Sequence, residues 1–188
     1  VISDTPFPID VITDVVNDIA SELPEAKFSL EEAQRCCVEP GFDRVDHGRP
    51  VTHRGPIREF LTPDSRPVKM LVRAFGIPTE ELFEIVDGLV DGRVSTTFSV
   101  QLDDGLVELA PIGVSKGVAL SATAEQLGVD LADAAAFGDM PNDVSMLRLA
   151  GHGVAMGNAH ADARAAADEV TTTNRDDGVA RVLERWWR

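Results

Sequence analysis

The sequence predicts an α/β chain in two parts. An α+β module with an antiparallel sheet comes first, then a partial, doubly wound, Rossmann-like parallel sheet, with the division near residue 111. Three observations carry this. Val94, Thr96, Phe98 and Val100 alternate with Ser95, Thr97 and Ser99, the period-two mark of a half-buried strand, and Asp103-Asp104-Gly105 supplies a turn before Leu106 to Ala110. Beyond Pro111, helices alternate with short apolar strands, which is how the repeating units of a parallel sheet read. At Phe137-Gly-Asp-Met-Pro-Asn-Asp143, three polar side chains stand where an apolar strand stops and a helix begins, the place where ligands collect in open α/β sheets.

Taken in order, Ile12, Val15, Val16, Ile19 and Leu23 form a helical stripe. Lys27 to Leu30 and Arg35 to Val38 read as a strand pair, and Val68 to Phe75 as a stronger strand. Leu82, Ile85, Val86 and Leu89 repeat the helical spacing before the last two strands, so helices are expected over one face of an antiparallel sheet. Residues 40–67 are rich in Pro, Gly and Arg and show little periodicity. Arg44, Arg49, Arg54, Arg58 and Arg66, with His47 and His53, stand there against Asp43, Asp46, Glu59 and Asp64. A solvated surface loop is expected, a substrate-reading loop being the alternative.

In the second part, Val118, Leu120, Ala124 and Leu127 predict a helix over 116–127. A strand at Ala134 to Phe137, a helix at Asn142 to Leu149 and a strand at Gly153 to Met156 follow. Then come a helix at Ala159 to Ala167, a strand at Glu169 to Thr172, and a last helix carrying Val179, Val182, Leu183 and Trp186.

The polar residues at strand ends carry the chemistry. Gly138 permits a sharp turn and Pro141 suits a first helical position, which leaves Asp139 on the loop and Asn142 and Asp143 in the first helical turn. Carboxylates are hard ligands suited to Mg²⁺, and helix N-terminal amides attract anions. A helix capped by Asn and Asp accounts for the same residues. Lys116 opens its helix against the helix dipole, which fits an ammonium facing a phosphate or carboxylate, while a solvated lysine is the plainer account. His152 and His160 lack metal-ligand spacing and read as packed or solvent-facing. Asn158 lies just past a strand end, where a helix N-cap explains it equally well.

Composition excludes several classes. The 17 basic against 32 acidic residues give a net charge of −15, which opposes nonspecific nucleic-acid binding and anionic membrane surfaces. No apolar stretch is long enough to cross a bilayer, and there is no signal-peptide pattern. The two cysteines are the neighbours Cys36 and Cys37, which make no CxxC motif and suit a reducing, cytoplasmic compartment.

Gly113-Val-Ser-Lys116-Gly and Phe137-Gly-Asp-Met-Pro-Asn-Asp143 together resemble the third and fourth motifs of the haloacid dehalogenase (HAD) superfamily, in particular Cof-type phosphatases with a large cap. The resemblance continues through Gly153-Val-Ala-Met-Gly-Asn-Ala159, Ala167-Asp-Glu-Val-Thr171 and Asp177-Gly-Val179. It implies that residues 10–110 are the α+β cap, and that 1–9 and 111–188 are the C-terminal part of the hydrolase core. It also implies that Lys116 binds the transferring phosphoryl group, Asn142 contacts phosphate, Asp139 is a Mg²⁺ ligand and Asp143 belongs to the metal site. The expected activity is a Mg²⁺-dependent phosphatase acting on small phosphorylated metabolites such as sugar phosphates. The alternatives are a phosphosugar mutase or dedicated glycosyl-phosphate phosphatase, and a noncatalytic phosphate-binding or regulatory module.

The family's first motif, an apolar strand ending in Asp-x-Asp-Gly-Thr with the nucleophilic aspartate, has no match here, and neither has the second. The expectation is therefore a C-terminal portion of a longer protein, lacking roughly 80 to 100 residues. By itself it would be inactive for want of the nucleophile, and would fold poorly with an unpaired apolar sheet edge.

Overall fold

The computed structural model describes residues 4–42 and 51–186, which divide between two compact units, Val1–Gly113 and Val114–Arg188. In the first unit, α1 (Ile9–Glu22) buries Ile12, Val15, Val16 and Ile19, the stripe the spacing predicts. Strands β1 (Lys27–Glu31), β2 (Cys36–Val38), β3 (His53–Arg54) and β4 (Lys69–Arg73) precede α2 (Thr79–Val90), and β5 (Ser95–Thr97) and β6 (Leu106–Ala110) follow it. The six strands form one sheet in the order β3-β2-β1-β4-β6-β5, antiparallel except for the β2–β3 pair.

Strand alternation explains the layering. Phe28, Leu30, Cys37, Met70, Val72, Val107 and Leu109 pack with the apolar stripes of both helices in one large core. Cys36, Val38, Leu71 and Leu106 point the other way and join Phe42 in a smaller cluster. Phe7 is buried in the large core, and its N–H donates to the Pro67 carbonyl over 2.7 Å.

Two readings differ from the structure here. Asp43, Arg44, Asp46, His47 and Arg49 lie outside the described residues. The rest of 40–67 is anchored rather than simply solvated. β3 joins the sheet edge, Ile57 is 1% exposed, and the Ser65 hydroxyl donates to the Phe60 carbonyl over 2.6 Å. Arg54, Arg58 and Arg66 remain exposed. In addition, β5 stops at Thr97 although the alternation runs on to Val100. The buried Thr79 hydroxyl accepts from Leu102 N–H (3.1 Å) and Leu106 N–H (3.3 Å), and Gly105 N–H donates to the Ile77 carbonyl (2.7 Å). Residues 102–106 thus bond to the start of α2.

In the second unit, α3 (Lys116–Leu127) begins at a Ser115 cap whose hydroxyl accepts from Val118 N–H, and ends at Gly128 in the left-handed region. Three parallel strands follow in the order β7 (Ala135–Gly138), β8 (His152–Ala155) and β9 (Glu169–Val170). They are joined by α4 (Val144–Leu149) and α5 (Ala161–Ala166), and α6 (Gly178–Trp186) comes last. Ala136 packs with Leu147, Ala150 and Ala163, whereas its neighbour Phe137 faces oppositely and meets the Trp186 ring at 6.4 Å. Helices therefore cover both faces, as doubly wound sheets require.

Candidate functional site

The described residues hold the sequence-predicted site at the carboxyl end of β7. Asp139 follows the strand directly, and Pro141–Asp143 forms a short 3₁₀ turn that leads into α4. Asp143 is the centre of the arrangement. Its side chain is 6% exposed, and Oδ2 accepts from both Asp139 N–H (2.9 Å) and Met140 N–H (3.1 Å). Oδ1 accepts from the Lys116 ammonium. One buried carboxylate thus fixes the loop that bears Asp139 and tethers the lysine from another helix.

Two glycines permit this. A Cβ at Gly138 would stand within 3.0 Å of Asp143 Cβ and Cγ. A Cβ at Gly117 would lie 2.8 Å from the Ser145 carbonyl oxygen, and the Gly117 N–H donates to Ser145 Oγ over 3.1 Å. The first turn of α3 is therefore seated directly on α4, with Lys116 at its end.

Lys116 keeps two of its three N–H donors beyond the Asp143 bond and is half exposed, so it can meet an anion. The Asn142 Oδ1 atom is buried and has no hydrogen-bond partner among the described residues. An orphaned buried acceptor close in sequence to Asp139 has room for a hydrogen-bond donor or a cation, while the amide N–H₂ of the same side chain is the end that can donate to an anion. Among the described residues no cluster of three or more His, Cys, Asp or Glu could hold a metal. The carboxylates that stand here are those of Asp139 and Asp143, and both oxygens of Asp143 already accept hydrogen bonds from Lys116, Asp139 and Met140; a cation held through one or two carboxylates, with water or substrate oxygens for the rest, is the kind such a set could take.

Asn158 enters this site, which the sequence reading left open. Its Nδ2 donates to Asp139 Oδ2 over 3.2 Å, and its Oδ1 accepts from Asn174 N–H over 3.0 Å. The cap of α5 is instead His160, whose Nδ1 accepts from Asp162 N–H. His152 lies at the start of β8, bonded to Glu169 and edge-on to Trp186. Asn174 gave no signal in the sequence, because its contribution is a backbone N–H.

A sequence model described as haloacid dehalogenase-like hydrolase matches residues 1–183. The 5-amino-6-(5-phospho-D-ribitylamino)uracil phosphatase YcsE of Bacillus subtilis is 41% identical over 80 residues, 43% of this chain and 32% of that protein. Phosphatase YwpJ, also of Bacillus subtilis, is 51% identical over 77 residues, 41% of this chain and 27% of that protein. The aligned stretches thus span about a third of the length of these curated relatives. The solved structure of the HAD subclass IIB sugar phosphatase BT4131 superposes with a TM-score of 0.82 at 21% identity, covering 98% of this chain and 69% of that one, a likeness of fold.

Proposed function

Because the chain belongs to the haloacid dehalogenase-like hydrolase family, we propose that it serves a Mg²⁺-dependent phosphatase of small phosphorylated metabolites, sugar phosphates among them. The observation that carries this reading is the joint held by Asp143, which sets the Lys116 ammonium and the Asp139 loop around one buried carboxylate. The substrate class is supported by relatives named as phosphatases, one of them acting on a phosphoribityl compound, and by a sugar phosphatase among the structural neighbours.

Each residue has a task that follows from its surroundings. Lys116 neutralises a phosphoryl oxygen with the N–H groups that Asp143 leaves free, and Asp143 prevents the ammonium from swinging into solvent. Asn142 contacts phosphate through its amide, and Asp139 with Asp143 would hold Mg²⁺. When bound, the cation supplies neutralisation of phosphoryl charge, which with correct positioning is most of what phosphoryl transfer needs. The nucleophilic aspartate of the family mechanism has no counterpart in these 188 residues, so turnover requires one from outside them. We assign the protein to the cytoplasm, a setting that suits its two buried free thiols. Its partners on this reading are a small phosphorylated metabolite and the N-terminal half of its own core, which would bring the nucleophile.

A second reading is a phosphate-binding module without turnover, for which the half-exposed Lys116 ammonium with its remaining N–H donors would suffice. Phosphate release from an aryl phosphate, assayed with and without Mg²⁺ on the product of the whole reading frame, separates the two. Asp139→Ala is expected to remove most turnover while leaving the unfolding midpoint in place, and Lys116→Ala to remove most turnover in a protein that is less stable but still folded. Undiminished turnover in either variant rules out the assigned roles, and phosphate binding without any release supports the module.

A further inference from the structure

Asp139 is held at three points. Its N–H donates to Asp143 Oδ2, and its carbonyl accepts from His160 N–H over 2.8 Å, so its backbone is fixed on both sides. The remaining freedom is rotation of the carboxylate, and Asn158 Nδ2 reaches Oδ2. Asn158 is itself constrained, because Asn174 N–H on its Oδ1 sets which end of the amide faces the carboxylate. The turn that carries Asn158 is tied to the β7 end by Met156 N–H donating to the Gly138 carbonyl over 3.0 Å. The loops after β7, β8 and β9 are thereby joined in series through Asp139, Asn158 and Asn174.

We infer that Asn158 is a positioning residue, which aims the Asp139 carboxylate at the cation and derives its own orientation from the Asn174 N–H. This rests on the metal reading of Asp139 given above. Outer partners that orient a metal ligand commonly change metal affinity 10- to 100-fold when removed. The sequence also offers a narrow way to test the second half of the relay. Thr173 has φ −68° and ψ 165°, the extended conformation that a following proline demands, and Asn174 opens the 3₁₀ turn. Asn174→Pro therefore deletes the N–H donor in a backbone already suited to proline.

The probe is Mn²⁺, an oxygen-seeking octahedral stand-in for Mg²⁺, titrated into the product of the whole reading frame with free ion read by electron paramagnetic resonance. The unsubstituted chain should bind, and Asp139→Asn should not. Asn158→Ala should weaken binding about tenfold or more, and Asn174→Pro should weaken it by less in the same direction, both at unchanged unfolding midpoints. Unchanged affinity in either variant, with Asp139→Asn still abolishing binding, overturns the inference and leaves the metal reading intact. No Mn²⁺ binding by the unsubstituted chain overturns both.

Discussion

Gly138 and Asp143 share one space, since a Cβ on the glycine would collide with both Cβ and Cγ of the aspartate. Asp143 is nearly buried and braced by two backbone N–H groups, so it cannot retreat without breaking the turn that displays Asp139.

Gly138→Ala is therefore expected to lower stability by about 1–3 kcal/mol through overpacking, and to weaken Mn²⁺ binding with it. Urea unfolding beside the metal titration checks this. A variant with wild-type midpoint and affinity would show that the turn yields without cost.

Lys116→Ala should leave the Asp143 carboxylate without its counter-charge. A loss of about 1–3 kcal/mol is expected, the usual cost of stripping a charged partner from a poorly solvated group. The lysine is half exposed, which places the value toward the lower end. A double-mutant cycle with Asp143→Asn isolates the pair. Additive losses would mean that the two side chains are not coupled.

Thr79→Val keeps the shape of a side chain that is 1% exposed while removing the oxygen that accepts from Leu102 and Leu106. Two backbone donors lose their partner, one of them in a buried bond. The expected cost is about 2–3 kcal/mol, read as a lower denaturant midpoint for the first unit. Hydrogen exchange at Leu102 and Leu106 should quicken in the same variant.

The Arg185 guanidinium holds the Glu169 carboxyl below the usual carboxylate range, against a smaller opposing effect of burial and with further help from His152. A carboxyl depressed in the folded state contributes stability that is fully present above its unfolded pKa of about 4.3 and disappears as pH falls through the lower folded value. The clamp on α6 should accordingly loosen in that acid window. Following the unfolding midpoint against pH tests it, and Glu169→Gln should flatten this part of the profile. A variant with the same acid slope would assign the effect to other carboxylates.

Much of this was readable in the sequence, for local reasons. α3 spans the predicted 116–127 because its signals, a Ser115 cap and a Gly128 stop, lie within the segment itself. Asp139 and Pro141 fell where an apolar strand must end. The α3 pattern was less informative about burial: Leu127 is 71% exposed, and the packed positions are the small residues Gly117 and Ala124. What escaped notice depends on groups distant in sequence. The shortening of β5 comes from bonds that tie residues 102–106 to the start of α2, and periodicity cannot register a hydroxyl 23 residues away. Asn158 looked equally like a helix cap because its two partners, Asp139 and Asn174, come from other loops.

The parallel sheet also has a kinetic meaning. Its strands pair residues close along the chain: Ala135 with His152, and Ala155 with Val170. The antiparallel sheet must bring Phe28 to Val72 and Leu71 to Glu108, much longer excursions. Closing a loop costs entropy that grows with its length, and short-range contacts favour rapid folding. The longest loop that the sheet bearing Asp139 must close is thus shorter than the longest in the antiparallel sheet, and its closure costs less entropy.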